Sequence, residues 1–243
     1  MITKVIFRRI KFDNIYPKNF NKYIVKKGLF VFPAGPALAT IDQSKKYHES
    51  LIKADIVFFD SGFFVLLLKF LKNLSVIKFS GYRFLNLFFN YLKNNKKKSI
   101  FCIDPNSKFS KSNKNLLKSL GVQKVHNYLA PNYKSKSLLD RKLLQKIKKV
   151  RPDFVLMNIG GGKQEILGLY LKQNLKIKTT ILCTGAAISF FTKDQAPITG
   201  LIDRLYLGWF VRFIFNPLIF SKRYFYSLRL IPMVIFNKIK VIN

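Results

Sequence analysis

Acidic side chains are scarce in this chain. Eleven Asp and Glu stand against 44 Lys and Arg, a net charge of +33 over 243 residues. Two cysteines, Cys102 and Cys183, give no disulfide framework in a chain this long, so nothing argues for an oxidising compartment. The segment Met1–Phe12 lacks the apolar centre of a signal peptide, and a cytosolic chain is the default expectation. No uncharged apolar run reaches the roughly 18–20 residues of a membrane-spanning helix. CxxC, HxxxH and DxD patterns are missing and His48 and His126 stand far apart, which argues against a metal centre. Neither a Walker A segment nor GxGxxG occurs, and no Gly/Ser- or Pro-rich linker or internal repeat divides the chain.

What is present is largely apolar. Hydrophobic residues make up 49% and aromatics 15%, enough to bury a core and too much for a disordered polycation. The positive charge suits phosphate-rich partners such as nucleic acid, nucleotide-sugars or anionic lipid headgroups. An AT-rich coding sequence, which favours Lys, Asn, Phe and Ile, accounts for the same excess without a partner.

Short runs rich in Val, Ile and Phe recur at Leu29–Phe32, Asp55–Phe59, Val76–Phe79, Ile100–Ile103, Val125–Leu129, Phe154–Ile159 and Thr180–Cys183, as buried strands do. Helix-length stretches lie between them at Phe84–Leu92, Asn113–Leu120, Leu138–Val150 and Gln164–Leu175. In the third, Leu139, Leu143, Leu144 and Ile147 keep helical spacing. The alternation predicts an α/β fold with a doubly wound, mostly parallel, Rossmann-like sheet, whose ligands sit at the carboxyl ends of the strands. Residues 1–27 read as an N-terminal extension, 28–203 as the α/β domain and 204–243 as a basic, apolar C-terminal appendage. From Leu205 to Phe236 aromatic and aliphatic residues are interrupted by Arg212, Lys222, Arg223 and Arg229 and broken by Pro217 and Pro232. That pattern suits helices lying in a bilayer interface, or a helical pair packed on the domain. Lys93–Lys98 is a solvated loop or a basic docking patch.

The acid inventory narrows the chemistry. Asp60 closes the run Ile56-Val-Phe-Phe-Asp60 ahead of Ser61-Gly62, where a carboxylate can serve as a general base or cap the following helix. Asn158-Ile-Gly-Gly-Gly-Lys-Gln-Glu165 runs from a strand through three glycines into a helix. That arrangement offers backbone N–H groups to a diphosphate, or makes a tight turn with no ligand. Cys183-Thr-Gly-Ala-Ala187 repeats the theme and admits either a flat or phosphorylated ligand or close strand–helix packing.

In order, these segments resemble the WecG/TagA/CpsF glycosyltransferase family. Ala54-Asp-Ile-Val-Phe-Phe-Asp-Ser-Gly62 is similar to "A-D…D-G-x-G", and Val76-Ile-Lys-Phe-Ser-Gly81 to "R-x-x-G". Ile159-Gly-Gly-Gly-Lys-Gln-Glu165 is similar to "L-G-x-P-K-Q-E", Thr184-Gly-Ala-Ala-Ile-Ser-Phe190 to "V-G-A-A-x-D-F", and Gln195-Ala-Pro197 to "R-A-P". Gly208-Trp209, Arg212, Pro217 and Lys222-Arg-Tyr224 follow "E-W-x-x-R-x-x-x-x-P…R-R-Y".

The resemblance covers about residues 28–230. It implies inverting, metal-independent transfer of a sugar, typically N-acetylmannosamine, from UDP to an undecaprenyl-diphosphate-linked saccharide at the inner face of the cell membrane. By the same resemblance Asp60 is the base. Gly160, Gly161, Gly162, Gln164 and Glu165 line the donor site, and Gly185, Ala186 and Ala187 contact the nucleotide. Lys78, Arg212 and Arg223 supply cations to diphosphate. No cofactor is expected, and an assembly of identical chains is compatible with the pattern.

The chain departs from the family at Phe32-Pro-Ala-Gly35, where the family has "T-P-N", and at Lys78, Gly162, Ser189 and Gly208, which replace Arg, Pro, Asp and Glu. Two alternatives follow from charge and departures: a basic nucleic-acid-binding protein, and a homologue that binds a nucleotide-sugar without turnover.

Overall fold

The computed structural model describes residues 2–133, 138–195 and 198–243; Ala196 and Pro197 of the Gln195-Ala-Pro197 segment lie outside the described residues. The strands are β1 (Lys4–Phe7), β2 (Ile10–Asp13), β3 (Gly28–Val31), β4 (Ile56–Phe58), β5 (Ser99–Asp104), β6 (Lys124–Leu129), β7 (Phe154–Met157), β8 (Thr180–Cys183) and β9 (Ile239–Ile242). They form one sheet in the order β6-β5-β7-β8-β3-β4-β2-β1-β9. Pairing is parallel from β6 to β2, while β1 joins β2 and β9 antiparallel. The helices are α1 (Phe20–Ile24), α2 (Gly35–Leu38), α3 (Lys45–Ile52), α4 (Gly62–Lys72), α5 (Gly81–Asn94), α6 (Ser107–Ser119), α7 (Arg141–Val150), α8 (Lys163–Asn174), α9 (Gly200–Arg204), α10 (Gly208–Phe215), α11 (Pro217–Ser227) and α12 (Leu230–Phe236).

The expected α/β fold is therefore present, with hydrophobic cores on both sheet faces. Along β3 and β4, alternate residues serve opposite faces. Leu29, Val31, Val57 and Phe59 pack with α3, α4, α8 and α12, while Phe30, Phe32, Ile56 and Phe58 pack with α1 and α5. Phe58 is the aromatic hub of the second face, stacked on Phe32 at 4.3 Å and touching Phe30, Phe79 and Phe84. From β5 the chain moves outward to β6, and from β7 it moves the other way to β8. A crevice therefore opens at the carboxyl ends of β5 and β7, the position where open α/β sheets bind ligands.

Several sequence expectations need correction. Val76–Phe79 is no strand, because both edges of β4 are taken by β3 and β2. It runs as an extended loop, with Phe79 N–H donating to the Phe59 carbonyl at 2.9 Å and Ile77 N–H to Asn14 Oδ1 at 2.7 Å. Within residues 1–27, Val5, Phe7, Ile10 and Phe12 of β1 and β2 are fully buried. Within 204–243, α12 buries Leu230 and Val234 in the core and β9 extends the sheet beyond β1. Leu139 precedes α7 and is exposed, while Leu143, Leu144 and Ile147 point inward as expected. Among the described residues no helix is long and apolar enough to cross a membrane.

Candidate active site

Asp60 follows β4 at the carboxyl edge of the sheet. The helix-capping alternative for it fails, because Ser61 caps α4: its Oγ accepts the Phe64 N–H at 3.2 Å. Asp60 Oδ1 instead accepts the Gly81 N–H at 2.8 Å, from the first turn of α5. Burial pushes the Asp60 carboxyl up from its ordinary value; the Gly81 N–H and the charges of Arg212 and Lys78 oppose that rise, and Asp203 adds to it. A Cβ on Gly81 would lie 3.4 Å from Ala187 Cβ and 3.5 Å from the Thr184 carbonyl, so the β8 turn closes over the same spot.

The two glycine turns are held together from below. At Gly162 φ is +87° and at Gly185 +59°, backbone that favours glycine at both turns. Glu165, in the first turn of α8, reaches back to accept the Gly162 N–H at 2.6 Å, as in one half of a capping box. Gln164 is buried, not facing open space. Its Nε2 donates to the Cys183 carbonyl at 3.1 Å and Glu165 Oε1 at 2.9 Å, and its Oε1 accepts the Gly185 N–H at 2.8 Å. Gln164 thus clamps one turn to the other. Gly160, Gly161 and Gly162 border open space, whereas Ala186 is exposed at the tip of its turn and Ala187 packs inward. Burial raises the Glu165 carboxyl to about 7, with the Asp60 charge contributing.

The cations divide. Arg212 sits on α10 with its guanidinium 5.0 Å from the Phe190 ring, and its charge reaches Asp60. Lys78 Nζ donates to Asp203 Oδ1 at 2.8 Å. Arg223 is exposed on α11 beside Phe220, and nothing in the structure brings it to Asp60.

Four buried polar groups around this region have no hydrogen-bond partner among the described residues: Tyr47 OH, Thr184 Oγ1, Arg212 Nε and Tyr224 OH. The Tyr47 phenol, in the core on α3, is pushed up by burial, with the charges of Glu165 and Asp60 adding to the rise. Sequence reasoning missed Tyr47, Thr184 and Asp203. Tyr47 carried no signal, being an aromatic inside a charged helix. A second polar cluster lies at the β5–β7 crevice, where buried Asp104 accepts from Asn113 and Asn158 at Oδ1 and from Asn127 at Oδ2.

Where the family has Thr and Asn, this chain has Phe32, stacked in the core, and Ala34. Ser189 is buried as well. No group of three or more His, Cys, Asp or Glu able to hold a metal occurs among the described residues.

The profile of the glycosyl transferase WecG/TagA/CpsF family matches residues 5–242. The chain belongs to that family. It is thereby a glycosyltransferase of cell-surface polysaccharide synthesis, a family that uses a nucleotide-sugar donor and a lipid-linked acceptor. The match begins at β1 and ends in β9, so it takes in both segments that the sequence had set apart. No curated protein matches the chain.

Proposed function

We propose that this glycosyltransferase moves a sugar of N-acetylmannosamine type from UDP to an undecaprenyl-diphosphate-linked saccharide, with inversion and without a metal. Asp60 takes the proton of the acceptor hydroxyl, and that oxygen attacks the anomeric carbon from the face opposite UDP. The bond from the anomeric carbon to the β-phosphate oxygen breaks as the new glycosidic bond forms. The leaving diphosphate is met by Lys78, Arg212 and those N–H groups of the glycine turns that Glu165 and Gln164 do not already hold. The observation that carries this reading is the Asp60 carboxylate, which does not cap α4, is fixed by the Gly81 N–H of α5 and lies within reach of the Lys78 and Arg212 charges. A base with a raised pKa accepts a proton more readily, and it works in its ionised form above that pKa.

The appendage is proposed to rest on the anionic inner face of the membrane. From residue 204 to 243 there is no acid and there are seven Lys and Arg. Leu218, Phe225, Trp209 and Ile214 are all more than half exposed. Aromatic and aliphatic groups among cations suit a headgroup layer.

A non-catalytic homologue is the second reading, favoured by Phe32 and Ala34 at the Thr and Asn positions. The experiment is a thermal-shift screen of UDP and UDP-sugars run beside a transfer assay on a polyprenyl-diphosphate saccharide with chelator present. Stabilisation by UDP with an inverted product supports the proposal. Stabilisation without product favours the non-catalytic reading. Salt-sensitive DNA binding with neither favours the nucleic-acid alternative.

A further inference from the structure

Lys78 carries a charge proposed for the donor diphosphate, yet its ammonium is already seated. Nζ donates to the Asp203 carbonyl at 2.5 Å and to Asp203 Oδ1 at 2.8 Å. Both side chains are largely withdrawn from water, at 11% and 13% exposure. The Tyr206 ring centroid lies 4.8 Å from the same ammonium. Tyr206 is held in left-handed backbone, φ +64°, and its ring packs closely against Gly62 at the start of α4. Carboxylate, carbonyl and ring all come from α9 and the turn after it, so the seat belongs to the segment leading into α10. Arg212 differs: its Nε is buried with no partner.

A carboxylate and a carbonyl present Lys78 with the same kind of oxygen that a diphosphate would. We infer that Asp203 is a resident stand-in for the donor diphosphate, holding Lys78 in the empty enzyme until a nucleoside diphosphate displaces it. This rests on the proposed role of Lys78 in donor binding. Two consequences follow. The intrinsic affinity for the donor is reduced by the fraction of molecules in which Asp203 holds Lys78. Displacement also frees α9 from the loop that carries Lys78, so donor binding loosens the joint between the α/β frame and α10, and by linkage a contact that pulls α9 away raises donor affinity.

The test is calorimetric titration of the full chain with UDP and with inorganic pyrophosphate. Asp203→Asn should bind both about tenfold more tightly than wild type, and Lys78→Met about tenfold or more weakly. Unchanged or weaker binding by Asp203→Asn, with the Lys78→Met loss intact, overturns the stand-in and leaves Asp203 as a support for Lys78. Wild-type binding by Lys78→Met removes Lys78 from the donor site, and the stand-in falls with it. Should Asp203→Asn fail to fold, amide exchange on the wild type decides: α9 amides should lose protection when UDP binds, and unchanged or greater protection contradicts the displacement.

Discussion

The glycine turns proposed for the donor and the C-terminal segment from residue 204 are built in opposite ways. Around Gly162 and Gly185 the backbone N–H groups of both glycines are taken by Glu165 and Gln164, Thr184 Oγ1 being the one side-chain group of these turns left without a partner among the described residues, and the strands beneath are fully buried. On the appendage side Arg212 Nε and Tyr224 OH are buried and have no partner among the described residues, and large apolar side chains face outward. A buried polar group without a partner costs about 1–3 kcal/mol. The turns are thus preorganised by the protein, whereas the appendage, on the proposed reading, is completed by what it binds. Damage to the first should register as lost stability, and damage to the second as lost binding.

The largest expected effect tests the frame. Phe58→Ala removes the ring stacked on Phe32 and should cost about 3–5 kcal/mol in denaturant unfolding. Gln164→Ala strips the partners from the Gly185 N–H and the Cys183 carbonyl, and should cost about 2–3 kcal/mol while also weakening UDP binding. An unfolding midpoint close to wild type for Gln164→Ala would break the contrast.

Glu165 sharpens it through pH. Raised to about 7 from 4.5, its carboxyl binds a proton more tightly in the folded chain than in the unfolded one. Its stabilising contribution is therefore complete below about 4.5 and lost as pH rises through about 7, on the order of 3 kcal/mol. Glu165→Gln should flatten that slope in unfolding measured from pH 4 to 8. The smallest change in stability is expected in the appendage. Trp209→Ser with Leu218→Ser should move the unfolding free energy by less than about 0.5 kcal/mol. The same pair should weaken sedimentation with anionic vesicles about tenfold or more. Truncation is the wrong tool there, because α12 and β9 belong to the core and the sheet.

Legibility in the sequence followed the same division. Runs of Val, Ile and Phe betrayed β3, β4, β5, β7 and β8 because both faces of those strands are buried, while the edge strand β6 buries none of its residues and showed only through Val125 and Leu129. The β1–β2 hairpin stayed hidden because its two-residue turn uses Arg8 and Arg9, both at positive φ, where Asn or Gly would announce a turn. β9, Ile239-Lys-Val-Ile242, is apolar at three of its four positions but is paired on one edge and largely exposed, so it lacks the buried two-faced setting of the central strands. Val76–Phe79 has the composition of a strand and is excluded only by the absence of a free edge on β4, which no local pattern records. Asp60 was legible from its place at a strand end, but the choice between base and cap was not. That choice depends on Ser61 and on Gly81, 21 residues away. The bond between Lys78 and Asp203 spans 125 residues and carried no signal at all.

The central claim is that Asp60 takes the proton in transfer, and Asp60→Asn tests it most directly. Asn keeps the shape and can still accept the Gly81 N–H through its oxygen, so donor binding should survive. Single-turnover transfer by Asp60→Asn, measured beside its UDP thermal shift, should fall about a thousandfold or more with the shift unchanged. Transfer at the wild-type rate would contradict the account.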